Sequence, residues 1–532
     1  MRLAFNPLPG PRAPLLQDTE IQEASEQSRL EGPGRKRLAV TAALLGSLAL
    51  CALLAGISPH SGLRSGHSER SVEVLPELSS QAGGGLCDQS YEDLGGVPWI
   101  RIVGGPPPPD LQRQWIDRIC TPLSGPRCSS ATPWKGIVTI CIGNRTIEGV
   151  KMHTRGHVSE LFPKHQYRIN LPEHIGLLGM APAKTWVLAT SWVDTSFQRN
   201  PTAFDIYKRM GGWATETRFA NIAWHGIDYG LFYVGETIQR GHGRVKLPKA
   251  RADEPEKSGY ILGVDWQKIG KYLSITSQTS KTNFNIIYPK QKHSSSEQVA
   301  YLEGLLNEVD RRAADIDSAS GTGPLEEVLD IPSFVRYFAM QELAKDLDGY
   351  VSSAYVSVHD GKLHHAAPWD FDLAFGFDCQ AIFYTNMYTG EVTLHSTGWN
   401  VENSITKQLW VGPDGRPGGT VHHFGVNKRE LFINIWRHSS FRRAFVEAWQ
   451  TARRGPLGDE ALVASLLRRG REIQDAARRD ISIWKGSPRC AFWVCCHPED
   501  TESFESSQEH LLEFLRGRAQ WIDDHVAELL EQ

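Results

Sequence analysis

The sequence predicts an α+β protein, and three observations carry that expectation. Between residues 136 and 265 short runs of alternating apolar and polar residues read as strands. From residue 429 onward apolar residues recur at helical spacing. Ahead of both stands an uncharged run, residues 38–57, as long as the roughly 20 residues a helix needs to cross a bilayer.

The chain has 532 residues, room for two or more domains at roughly 100–200 residues each. Its composition is ordinary for a globular protein, with 40% hydrophobic and 22% charged residues. The net charge of −4 speaks against a nucleic-acid partner, which wants a basic face. Residues 1–37, rich in Pro, Gly, Glu and Gln, read as a disordered tail. Arg35, Lys36 and Arg37 precede the uncharged run, and the next basic residue is Arg64. The positive-inside rule therefore predicts a signal anchor: a single-pass type II membrane protein with its amino terminus in the cytosol and its bulk in the Golgi or ER lumen or on the cell surface. The rival is a cleaved signal peptide, whose basic region starts near residue 1. Residues 58–86 read as a stalk, 87–135 as a Cys/Pro-rich lead-in, and 136–530 as the main domain. One cysteine of nine, Cys51, falls in the uncharged run; the other eight are an even number and predict disulfides of unspecified pairing. Asn144-Arg145-Thr146 is a glycosylation sequon.

In order, strands are predicted at 136–141 and 149–153 with a turn at Gly143-Asn144, then at 167–171, 229–238 and 260–265. A helix over 200–210 ends at Gly211-Gly212, and further helices cover 297–317 and 332–344. Residues 350–359 and 362–366 form a hairpin through Asp360-Gly361. Residues 376–428 lack periodicity and read as a long loop or lid. Helices follow at 431–436, 441–451, 460–484 and 507–530.

The hairpin delivers the chain to Trp369-Asp370-Phe371-Asp372. In an extended segment side chains alternate faces, so Asp370 and Asp372 point one way and Phe371 the other. Two like charges in apolar surroundings raise each other's pKa or take a cation, and a hard divalent ion such as Mg²⁺ satisfies oxygen ligands. The plain alternative is a strand end with two solvated acids.

Four further segments accompany it: Arg155-Gly156-His157 with Phe162-Pro163-Lys164 and Tyr167-Arg168; Asp194 with Arg199-Asn200 and Asp205; Tyr229-Gly230-Leu231-Phe232 with Glu236, then Gly259-Tyr260-Ile261 and Asp265; and Gln341-Glu342-Leu343 with Asp348-Gly349. Taken in order, with the carboxy-terminal pattern over 511–521, they resemble the CotH family of spore-coat kinase-like proteins across residues 136–530. The chain departs from the family at His165-Gln166, where a second lysine is common, and at Gln341, where Asn is usual.

That resemblance implies a reduced, atypical protein-kinase-like fold with mixed or antiparallel sheets and a helical carboxy-terminal part. It implies transfer of the ATP γ-phosphoryl to Ser or Thr of a protein substrate, with Mg²⁺ or Mn²⁺ as cofactor. Phosphoryl transfer asks chiefly for positioning and charge neutralisation. Arg155 and Lys164 then serve the phosphates, with Glu236 holding Lys164. Asp348 accepts the substrate proton, and Asp370 and Asp372 hold the metal. The rival from another class is a surface adhesin or receptor that kept the fold and lost catalysis.

Overall fold

The computed structural model describes Cys87 and most of residues 90–531; it leaves out 1–86, 106–133, most of 157–163, 266–270, 317–320, 377–381, 387–391, 394–396, 408–421, 425–429, 485–489, 496–502 and a few single residues. The chain divides between residues 81 and 82, and every described residue lies in the second unit.

Seven strands open that unit: β1 (Trp99–Val103), β2 (Lys135–Ile142), β3 (Arg145–Arg155), β4 (Gln166–Ile175), β5 (Ala183–Ala189) and, after helix α1 (Arg199–Arg209), β6 (Thr217–Trp224) and β7 (Ile227–Glu236). They close into a barrel in the order β1-β2-β3-β4-β5-β7-β6. All pairings are antiparallel except the closing one, where Trp99–Ile102 of β1 lies parallel to Asn221–Trp224 of β6. Closure removes the unpaired edges an open sheet would carry. The interior is filled with side chains: Trp134, Tyr167, Trp186, Trp224 and Tyr229 join Ile, Val and Leu residues in one core. Trp134 meets Trp224 edge-on at 5.0 Å between ring centroids, a favoured aromatic geometry.

The second layer is a five-stranded sheet of β8 (Tyr260–Val264), β9 (Ser274–Thr276), β10 (Asn283–Tyr288), β11 (Ala354–His359) and β12 (Lys362–Ala367), in the order β12-β11-β8-β10-β9. Helices α2 (Ser296–Ala314) and α3 (Ile331–Ala344) fall between β10 and β11. α3 starts where the Asp330 carboxylate accepts the Ser333 backbone N–H, and it stops at Lys345, whose φ of 46° is left-handed. The next stretch holds β13 (Ile382–Asn386), β14 (Val392–Thr393), β15 (Asn403–Lys407) and β16 (His422–Phe424), a four-stranded antiparallel sheet. It replaces the loop expected over 376–428; its strands are too short to show an alternation. Helices α4 (Glu430–Arg437), α5 (Ser439–Arg453), α6 (Asp459–Ile483) and α7 (Phe504–His525) complete the fold, with β17 (Cys490–Ala491) and β18 (Val494–Cys495) paired between the last two. The largest core unites α1 to α5, α7, the five-stranded sheet and the start of α6.

Two expectations about the fold are corrected. The mixed or antiparallel sheets expected of the strand-rich half close into a barrel beside a separate five-stranded sheet, because the parallel β1–β6 pairing joins the two edges. The expected membrane helix is not found either: among the described residues no helix is long and apolar enough to cross a membrane. Residues 38–57, on which that expectation fell, lie outside the described residues.

Candidate active site

The acidic segment follows β12. Asp370 has φ 69°, in the left-handed region, so the segment turns instead of running extended. Asn200, in the first turn of α1, spans it: its Oδ1 accepts the Phe371 backbone N–H at 2.8 Å and its Nδ2 donates to Asp372 Oδ1. Arg199 beside it donates from Nε to the Ala374 carbonyl at 2.9 Å and pairs with Asp194 at 2.5 Å. The Phe375 N–H donates to the Ala344 carbonyl at the end of α3, at 2.7 Å. Gly376, at φ 68°, ends the segment where an added Cβ would stand 2.3 Å from the Phe514 ring of α7. Asp194, Arg199 and Asn200 thus hold the two aspartates, a job the sequence left unassigned for Asn200. Phe371 is buried while Asp370 is exposed and Asp372 half-buried, in a turn and not in an alternating strand.

Asp370 keeps an exposed edge although the protein crowds around it, and Asp372 is half-buried. Burial, and then the negative charge of Asp348, raise the Asp370 carboxyl above its ordinary value, while Arg155 and a 3.1 Å hydrogen bond from Ser353 oppose the rise. Asp348 stands on the turn after α3. Two residues before it, Asp346 is 1% exposed, and its Oδ2 has no hydrogen-bond partner. Burial first, then Asp348 and Asp370, push its carboxyl well above the ordinary value. Sequence reasoning passed over Asp346; the signal was a second D-x-D, Asp346-Leu347-Asp348.

Arg155, at the end of β3, stands near these acids. Its guanidinium lies 5.3 Å from the Trp369 ring centroid and donates to Gln166 Oε1 at 3.2 Å. The Tyr233 phenol is pushed up by burial and then by Asp372, with Arg155 opposing, which puts both charges around one hydroxyl.

The expected ion pair of Lys164 with Glu236 is not formed. Lys164, 1% exposed, pairs with Asp480 of α6 and donates to the Leu231 carbonyl at 2.7 Å. Gly230, at φ 89°, makes room, since a Cβ there would stand 2.2 Å from the Asp480 carboxylate. Glu236 lies 3.3 Å from Arg244 and accepts the Glu216 N–H at 3.2 Å; burial raises its carboxyl, which Arg244 counters. Asp205 pairs with Arg209 and Arg469.

Behind the acids, Glu342 of α3 is fully buried. It accepts from the Tyr350 hydroxyl at 2.9 Å and from the Asn400 and Val401 N–H groups at 2.5 and 2.9 Å, and lies 3.4 Å from Arg518 of α7. Asn400 also donates to the Asp346 carbonyl at 3.0 Å, tying the Asp346–Asp348 turn to the rest.

Among the described residues no three His, Cys, Asp or Glu side chains gather closely enough to hold a metal by themselves. Mg²⁺ commonly takes only one or two carboxylates together with water and substrate phosphates. The crowded acids and the unpartnered Asp346 oxygen suit a cation that arrives with a nucleotide.

A closed barrel and a helical layer thus bring clustered aspartates opposite an arginine. The family model for CotH kinase protein matches residues 152–522, most of the chain, and the protein belongs to that family. No curated protein matches the chain. Membership supports a kinase-like enzyme and, in general terms, ATP and a divalent metal.

Proposed function

We propose that the protein is an atypical protein kinase that transfers the γ-phosphoryl of ATP to a Ser or Thr hydroxyl of a protein met in the secretory pathway or at the cell surface. The observation that carries this reading is the convergence of Asp346, Asp348 and Asp370 opposite Arg155, with Asp372 held beside them by Asn200. The Cys87–Cys141 disulfide supports an oxidising compartment. In this reading the substrate oxygen forms a bond to the γ-phosphorus as the bond from phosphorus to the β,γ-bridging oxygen breaks and ADP leaves. Asp348 takes the hydroxyl proton. Asp370 and Asp372 would hold Mg²⁺ or Mn²⁺, which neutralises phosphate charge when bound. Arg155 meets the phosphate oxygens with its fork. Lys164 and Glu236, each engaged elsewhere, act through the fold.

The test is the full-length protein with radiolabelled ATP, Mn²⁺ and Ser-rich peptides. Asp348→Asn is expected to slow transfer by roughly 10²–10⁴-fold, the usual share of general base catalysis, with ATP affinity nearly intact. Equal activity in wild type and variant moves the base elsewhere. The burial of Lys164 against Asp480 favours the second reading, a binding module without catalysis. Neither ATP binding nor transfer at millimolar nucleotide would establish it.

A further inference from the structure

We infer that the outer face of β2–β4 is a docking track for an acidic, extended stretch of the protein substrate; this rests on the kinase reading only for what happens to the docked chain. The pattern comes from the barrel's register. On β3 the inward residues are Val150, Met152 and Thr154, so Lys151, His153 and Arg155 point outward. His153 lies between Lys135 of β2 and Arg168 of β4, and Arg155 lies opposite Gln166. Lys135, Lys151 and Arg168 are exposed.

Several cations elsewhere on the molecule are neutralised by a near carboxylate. Arg218, Arg251, Lys257, Arg311 and Arg478 each pair with a carboxylate. Among the described residues, no carboxylate lies within ion-pair distance of Lys135, Lys151, Arg155 or Arg168. Arg168 instead has Arg155 as its main charged neighbour, with the Tyr272 and Tyr355 phenols also near it. In a chain with 57 basic and 61 acidic residues, a face of unpaired cations attracts an anionic partner. It also leads to the acids, because Arg155, its last member, stands over Trp369 next to Asp370.

Spacing selects the partner. Alternate residues of a strand are about 7 Å apart on one face, at roughly 3.3 Å per residue. An extended peptide whose phosphoacceptor sits at Asp370 presents its own alternate side chains at the same interval. Acids about two and four residues from the acceptor then meet the His153–Arg168 and Lys151 levels.

The experiment separates this from catalysis. Fluorescent peptides carry Ala in place of the acceptor and have Asp at alternate positions, the same Asp residues scrambled, or Asn in place of Asp. Anisotropy with the full-length protein at low salt is expected to show the alternating acidic peptide binding about tenfold tighter than the Asn peptide, with salt eroding the difference. Lys151→Glu and Arg168→Glu, and the milder Lys151→Gln, should reduce that ratio toward one while the melting temperature holds. Equal binding of acidic and Asn peptides overturns the inference. Equal binding of alternating and scrambled peptides also overturns it, by showing a general polyanion surface. The Ser-containing peptides then test transfer. Acidic preference without any transfer sinks the kinase reading and leaves the track standing; transfer without acidic preference does the reverse.

Discussion

Asp346 and Asp370 are acids whose protons are held more tightly in the folded chain than in an ordinary carboxylic acid, through burial and through Asp348. For an acid with a raised folded pKa, the stabilising contribution is complete below the unfolded value and disappears as pH rises through the folded value. The contribution of these two acids to thermal stability is therefore expected to fall as pH climbs from near the ordinary carboxylate value of 3.8 toward neutrality, against Asp205, Glu216 and Asp330, whose lowered carboxyls act the opposite way. Asp346→Asn, which keeps the shape and removes the charge, should flatten part of that fall in calorimetric scans across pH. Identical slopes in both proteins would show that the Asp346 carboxylate is not held against its neighbours. What the sequence disclosed at this scale was residue type more than conformation. Trp369-Asp370-Phe371-Asp372 stood out because acids amid apolar residues need a reason, yet the argument from strand alternation missed the left-handed Asp370. Lys164 was legible as a lysine that needs a partner, but the partner is Asp480, 316 residues away, and no local pattern announces such a contact.

Helices and hairpins were legible because each repeats its own period. The turn at Gly143-Asn144, the hairpin at Asp360-Gly361 and all seven helices lie within a few residues of their expected places, apart from the last, which ends at His525 and continues as a 3₁₀ turn. Strand partners were not legible. β1, β5 and β6, three of the seven barrel strands, escaped notice: β5 and β6 are buried at successive residues and lose the alternation that marks a half-buried strand, while β1 keeps it over only five residues. The element contact with the largest expected consequence is α3 against α7, where Glu342 and Arg518 are both fully buried. Removing one partner of such a pair strands a charge in the interior and typically costs about 3–5 kcal/mol. Arg518→Met should lower the unfolding free energy by that order in denaturant titration. Adding Glu342→Gln should recover part of it, though the N–H groups of Asn400 and Val401 still lose a carboxylate acceptor. If the double variant is as unstable as the sum of both singles, the two side chains act independently and Arg518 holds α3 through its 2.7 Å bond to the Glu342 carbonyl instead.

Across the whole molecule, cysteine count predicted oxidation but not pairing, and the pairing proves to bear on the barrel. Cys87 precedes β1 and Cys141 lies in β2, so the disulfide ties the approach to the barrel's first strand to the second. Cys490 and Cys495 stand opposite each other in β17–β18. The Cys87–Cys141 bond spans a sequence separation of 54, and constraint of a loop that long in the unfolded chain is worth roughly 4 kcal/mol on the chain-entropy model. Three residues on from Cys141, Asn144 is exposed at the β2–β3 turn, where the sequon is reachable from solvent. The prediction joins the two. Protein produced through a secretory pathway should carry a glycan that Asn144→Gln removes, seen as a mobility shift, and should unfold at higher denaturant than the Cys87→Ala/Cys141→Ala variant, by up to about 4 kcal/mol. The slope of the denaturant curve should rise in the variant, because an unfolded chain without the cross-link exposes more surface. Unchanged stability in the variant would mean that the parallel β1–β6 pairing closes the barrel unaided. An unglycosylated secreted product would mean that the hairpin tip is covered while the chain is being made.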